Sequence, residues 1–109
     1  MIVKMELLDA KWIPGYKGRY AITPTGKVYS TFKKGFLLPE VVHNGYYRVN
    51  LGGKRWRVHR LVALTYHPEE LAELLKDYAL DELEVHHIDE NIKNNHADNL
   101  EWLTVYEHR

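Results

Sequence analysis

The pair Gly52-Gly53 restricts the fold of this chain more than any other feature of it. Adjacent glycines supply the positive φ angles of a two-residue β-turn, and here they separate two alternating runs in GYYRVNLGGKRWRVH, residues 45 to 59. Pairing Leu51 with Lys54 sets the register, so that Asn50 faces Arg55, Val49 faces Trp56, Arg48 faces Arg57 and Tyr47 faces Val58. Side chains alternate along a strand. One face of the hairpin therefore carries Tyr47, Val49, Leu51, Trp56 and Val58, and the other Tyr46, Arg48, Asn50, Arg55 and Arg57. Placing Arg48 across from Arg57 destabilises a sheet unless an anion lies between them. A polyanion would supply that anion; a solvated strand face is the competing reading.

The charge distribution sharpens the choice. The formal net charge is zero, yet residues 11 to 60 carry eleven Lys or Arg against Glu40 alone, while residues 61 to 109 carry three against twelve Asp or Glu. A chain split in this way favours nucleic-acid binding by its basic half, unless the halves neutralise each other in the fold. With 109 residues the chain suits one compact domain or two small lobes sharing a core. It contains no cysteine, so disulfides and thiolate zinc sites are excluded and any metal must be held by nitrogen or oxygen. The opening MIVKMELLDAKW is interrupted by Lys4 and Glu6, and no apolar run approaches membrane-spanning length, so no leader and no membrane partner are expected.

Upstream of the hairpin, WIPGYKGRYAITPTGKVYSTF places turn-formers around two short β-branched or aromatic runs, predicting strands at Tyr20-Ala21-Ile22 and Val28-Tyr29-Ser30 joined by a Pro/Gly turn. Downstream, HRLVALTYHP predicts a helix that stops at Pro68, with Leu61, Val62 and Thr65 on one side. EELAELLKDY, residues 69 to 78, predicts a second helix whose Leu71, Leu74, Leu75 and Tyr78 follow the i, i+3, i+4, i+7 pattern. Its acids are expected to face solvent. Trp12, Trp56 and Trp102 are expected in the core.

The last segment, VHHIDENIKNNHADNLEWLTVYEHR, departs from core patterning, since Ile88 and Ile92 are its only sizeable aliphatic side chains between His86 and Asn99. It divides into a strand at Glu84 to His87, a polar loop, a strand around Leu100 to Leu103 and a helix start at Thr104, whose T-x-x-E spacing to Glu107 is a capping box. Neighbouring strand residues point to opposite sides, so His86 and His87 cannot readily share one ion. One imidazole for a metal and one as a base near neutral pH is the division this suggests.

These residues carry a resemblance. His86-His87-Ile88-Asp89, Asn91, Asn94-Asn95, Asn99-Leu100-Glu101-Trp102 and Thr104 to His108 resemble the HNH endonucleases, whose ββα-metal (His-Me finger) fold holds one divalent ion over a scissile phosphate. WIPGYKGRYAITPTGKVYS resembles the tryptophan and glycine-tyrosine motif that precedes many phage and intron-encoded HNH nucleases, and VHRLVA at 58 to 63 resembles the helix before their catalytic hairpin. The resemblance implies His87 as general base, Asn99 as the central asparagine that ties the loop and keeps the base aligned, and His86 and His108 as metal ligands. It also implies cleavage to 5′-phosphate and 3′-hydroxyl ends. Glu90 stands where the family commonly has the glycine of an Asp-Gly-Asn turn.

The chain is accordingly expected to be α+β, with residues 1–58 a basic antiparallel β region that binds DNA and residues 59–109 a helical linker plus the ββα-metal nuclease module. The expected function is divalent-metal-dependent hydrolysis of DNA phosphodiester bonds. A weakly active or inactive DNA-binding module with a structural metal is the alternative. One divalent ion is expected, Mg²⁺ or Mn²⁺ in function, with Zn²⁺ or Ni²⁺ as possible occupants of a two-imidazole site. Double-stranded DNA is the expected partner, through Arg48, Asn50, Arg55, Arg57 and Arg60; for Arg60 a structural pairing with an acid is an equal alternative. His59 is expected to support packing, and His43, His67 and His96 to be ordinary. The oligomeric state is left open between monomer and homodimer, and a phage or mobile-element protein in a bacterial cytoplasm is the expected setting.

Overall fold

The computed structural model describes residues 9–107. Residues 1–8 of the opening segment read for a leader, and His108, lie outside the described residues. Within them nine strands form three antiparallel sheets. The first contains β1 (Lys11–Trp12), β2 (Tyr20–Ile22), β3 (Val28–Ser30) and β4 (Gly35–Phe36) in sequence order. The second contains β5 (Glu40–Val41), β6 (Tyr47–Leu51) and β7 (Lys54–Arg57). Two helices follow, α1 (Val58–Tyr66) and α2 (Pro68–Leu74), and then the third sheet, β8 (Leu83–His87) with β9 (Leu100–Thr104). Among the described residues no helix is long and apolar enough to cross a membrane.

The central hairpin has the register its sequence dictates, from Leu51 opposite Lys54 to Arg48 opposite Arg57. Gly52 and Gly53 have φ of 59° and 96°, the two positive angles that its turn requires. Asn50 closes that turn, its Oδ1 accepting the Gly53 N–H at 2.7 Å. Beyond Arg57 the ladder stops, because Val58 begins α1 instead of facing Tyr47.

Helix α1 is the spine of the molecule. Val58, Leu61, Val62 and Thr65 recur at helical spacing and are buried, with His59 and Ala63 beside them. Pro68 cannot continue the helix because it lacks an N–H, and it starts α2 at the first helical position, where no N–H is needed. Regular α2 ends at Leu74, short of the expected Tyr78. Past Leu74 the bonds tighten to i→i−3 type at Lys76 and Asp77. Leu71, Leu74 and Tyr78 pack against the core while Leu75 is left 43 % exposed, so burial does not hold the last turn in α-helical register.

Ile13, Ile22, Val28, Val49, Leu51, Val58, Leu61, Val62, Leu83, Val85, Leu100 and Trp102 belong to one continuous core. Residues on both sides of position 58 thus share it. Trp102 is buried and donates from its indole Nε1–H to the Ala63 carbonyl at 3.4 Å. Trp56 is half-buried and donates to the Tyr16 hydroxyl at 3.0 Å. Trp12 corrects the expectation of three core tryptophans: it lies on the edge strand β1 and is 44 % exposed.

Candidate active site

The β8–β9 hairpin sets the site. Leu83, Val85 and His87 alternate inward while Glu84 and His86 are only half-covered, so the two adjacent histidines are divided between faces. The loop that follows is fixed by polar contacts, with the Asp89 carboxylate as its hub. That carboxylate accepts from the Asn91 N–H at 2.8 Å, from Asn94 Nδ2 at 2.9 Å and from Asn99 Nδ2 at 2.9 Å. These donors hold the Asp89 carboxyl below its ordinary range, the Asn94 side chain most of all. Asn99 also donates to the Asn94 carbonyl at 2.9 Å and accepts the Asp89 N–H at 3.0 Å. Its side chain therefore bolts the two ends of the loop together.

The hydrogen bond on the His87 ring comes from a different asparagine. His87 Nε2 and Asn95 Oδ1 are 2.8 Å apart, and both residues are buried. An amide oxygen only accepts, so this bond selects the Nε2–H tautomer, whose lone pair lies on Nδ1. The His59 ring packs on His87 at 4.8 Å between centroids, Tyr46 stacks on His59 at 5.2 Å, and the Arg57 guanidinium lies over Tyr46 at 4.4 Å. Tyr46 also meets His87 at 6.0 Å, so the three rings, from the residue before β6, from α1 and from β8, make one compact pile with the Arg57 guanidinium over Tyr46. Burial, then the neighbouring charges of His87, Arg57 and Arg60, pushes the His59 imidazole down to about 3, so it is neutral at ordinary pH.

A cleft of about 510 Å³ opens beside this pile, lined by Tyr46, Arg55, Arg57, His59, Arg60 and Glu84 among others. The Arg60 guanidinium lies over the Trp102 ring at 5.3 Å, and burial lowers its pKa. Arg55, Arg57 and Arg60 thus line one cleft; Arg48 and Asn50 stand across the β6–β7 ladder from Arg57 and Arg55 but are not part of its lining. The anion that Arg48 needs comes from within the chain, since β5 pairs Glu40 with Arg48 and Glu40 Oε1 accepts from Arg48 Nε at 2.9 Å and Nη2 at 2.6 Å. This corrects the inference that the Arg48–Arg57 pair calls for an external polyanion.

On the outer face of β8, His86 stands opposite Glu101 of β9. Thr104 and Glu107 form the expected capping box, each side chain accepting the other's N–H at 3.2 Å. His108, the other expected ligand, follows directly outside the described residues. His86 and Glu101 thus place a nitrogen and an oxygen donor at one cross-strand position, a pairing that suits a borderline divalent ion. Among the described residues no three His, Asp or Glu side chains are grouped to hold a metal.

Sequence reasoning passed over Asn95 as the partner of His87 and Tyr46 as part of its packing; His59, expected to support packing, is buried against the His87 ring. His59 shares a helix face with Val62 and Ala63 at i+3 and i+4, so its inward direction was already present in the periodicity. Two other histidines brace the loop: His67 Nε2 lies 2.7 Å from the Ala97 carbonyl, and His96 Nδ1 accepts the Asp98 N–H at 3.1 Å.

Comparison with known proteins finds relatives of this chain in sequence and in fold. Residues 11–52 match the NUMOD4 motif, which is found upstream of HNH domains. DNA endonuclease I-HmuI of Bacillus phage SP01 is 36 % identical over 101 residues, 89 % of this chain and 53 % of its own length. An uncharacterized HNH endonuclease of Acanthamoeba polyphaga mimivirus is 37 % identical over 89 residues, 78 % of this chain and 24 % of its own length. The solved structure of the HNH homing endonuclease I-HmuI, on its DNA binding and cleavage, superposes with a TM-score of 0.75 and 34 % identity, covering 93 % of this chain and 55 % of that one. The chain therefore spans about half the length of I-HmuI and about a quarter of the viral relative.

Proposed function

We propose, from the premise that this chain is an HNH endonuclease relative in sequence and in fold, that it hydrolyses DNA phosphodiester bonds with the help of a divalent ion. The observation that carries the reading is the His87–Asn95 contact of 2.8 Å, which directs the lone pair of a buried imidazole to Nδ1. In this reading Nδ1 of His87 removes a proton from water as the oxygen attacks phosphorus in line and the P–O3′ bond breaks. A divalent ion held by His86 and His108 would supply Lewis-acid stabilisation of the charge on the phosphate. Asn99 keeps the loop closed through Asp89 and Asn94, and His59 fixes the plane of the His87 ring. Arg55, Arg57 and Arg60 offer the cationic cleft for the backbone of double-stranded DNA, at phosphates beside the one that is cut.

The test is nicking of supercoiled plasmid under titration with Mg²⁺ and Mn²⁺, comparing the chain with His87→Ala. Loss of nicking by at least about a hundredfold with DNA binding retained is the expected result, since a general base contributes about 10²–10⁴-fold. Equal nicking by both proteins would reject His87 as the base. DNA binding without nicking in either would leave the non-catalytic binding module as the function.

A further inference from the structure

Asn95 lies in the polar loop of the β8–β9 hairpin, but what holds it is far upstream. The turn between β2 and β3 is stiffened from within: Thr23 Oγ1 accepts the Lys27 N–H at 3.0 Å, and the Gly26 N–H reaches the Thr23 carbonyl at 2.9 Å. This turn docks on the loop. The Pro24 carbonyl accepts the Ala97 N–H at 2.7 Å, while His67 meets the carbonyl of the same Ala97 from α1's end. Gly26 has φ of +94°, and a Cβ built on it would stand 3.3 Å from Asn95 Cβ and 3.1 Å from Val58 Cγ1. Bare backbone at 26 is therefore the wall against which Asn95 rests. The Tyr66 hydroxyl, 2.7 Å from the Ile22 carbonyl, ties the same strand to α1.

We propose that Asn95 is a positioning residue for His87, fixing the Nε2–H tautomer, and that the Thr23–Lys27 turn is the brace that keeps its amide in place. The catalytic meaning rests on the nuclease reading above; the tautomer itself does not. Several groups in the loop have the chemistry to hold an imidazole, and Asn94 and Asn99 are the nearest of them in type. Both are engaged by Asp89. Asn95 alone of the three is buried, and its Oδ1 is within hydrogen-bond distance of the His87 ring. A ring held at Nε2 and packed against His59 and Tyr46 has one plane and one lone-pair direction, which is what an attacking water needs.

The experiment compares Asn95→Leu, which keeps the volume and removes the acceptor, with Asn95→Asp, which keeps an acceptor oxygen at the same reach. Long-range ¹H–¹⁵N spectra of the imidazoles read the His87 tautomer, and plasmid nicking is split into kcat and KM. The chain itself should show Nε2–H. Asn95→Leu should shift His87 towards Nδ1–H and lower kcat by about a hundredfold with KM for DNA within about threefold; Asn95→Asp should restore Nε2–H and most of kcat. If Asn95→Leu fails to fold, Asn95→Gln, whose amide is displaced by one methylene, is read in the same two assays. An unchanged tautomer in the acceptor-free or displaced variant overturns the proposal, as does an unchanged kcat in an active enzyme. Absence of nicking in the unaltered chain would count against the nuclease reading, while the spectra would still decide the role of Asn95.

Discussion

The buried imidazole of His59 makes a quantitative prediction about acid sensitivity. Its ordinary value of 6.5 falls to about 3 in the folded chain, with burial the main cause and the His87, Arg57 and Arg60 charges adding to it. Between those two values the unfolded chain binds a proton that the folded chain excludes, so stability is intact above about 6.5 and drains away as pH falls towards about 3. At pH 5 the loss from this one group is about 2 kcal/mol. His59→Phe keeps a flat ring against Tyr46 and His87 and removes the titration. Urea unfolding of both proteins at pH 7.5 and 5.0 provides the assay. The unaltered chain should lose about 2 kcal/mol more than His59→Phe over that interval, or roughly 8–16 °C in a parallel thermal melt of a small domain. Making the comparison in a His87→Ala background removes the one histidine whose charge acts on His59, and the remaining histidines cancel in the double difference. Equal losses in both proteins would show that His59 takes up its proton in the folded state as easily as in the unfolded one, and its burial would not exclude the charge.

Three further outcomes follow from particular residues. Glu90 holds φ of 63°, the left-handed region that favours glycine, so Glu90→Gly should raise the urea-unfolding stability by about 0.5–1 kcal/mol; a loss would mean that the Glu90 side chain has an unrecognised stabilising role. Gly26→Ala should destabilise by about 1–3 kcal/mol in the same assay, through the positive φ and the close approach to Val58 and Asn95; a neutral result would reject the tight docking of the turn. Replacing Arg55, Arg57 and Arg60 together by Ala should flatten the plot of log DNA affinity against log salt by about 2–3 units, and Arg48→Ala by less, because Arg48 is already paired with Glu40. An equal effect of Arg48 would place the DNA backbone along β6.

The parts of the fold that were legible in the sequence are those decided locally. Gly52-Gly53 and the alternation around it fixed the hairpin register residue by residue, and the burial of α1 followed from its periodicity. The two-residue strands β1, β4 and β5 were not legible, because pairing at a sheet edge depends on what the neighbouring strand presents. Arg48 shows the cost of that blindness: its counter-ion is on β5, a strand too short to leave a pattern. The same holds in the site. Asn94, Asn95 and Asn99 are chemically alike in sequence, and which of them reaches His87 is decided by the β2–β3 turn, through contacts that carry no periodic signal. Trp12 fails for a related reason, since an aromatic on an outermost strand has no second layer to cover it.

The docking of that turn has an evolutionary consequence. On the nuclease reading proposed above, a base aligned from its own upstream region could not trade that region for another as though it were a detachable address label. A chimaera joined at the β7–α1 boundary would bring in a foreign turn, and unless it offers a carbonyl to Ala97 and leaves room beside Asn95, it would inherit a new DNA preference together with a misaligned imidazole. Recombinants of this kind would bind and fail to cut, and restoring a glycine at the point of contact would be the first repair to try.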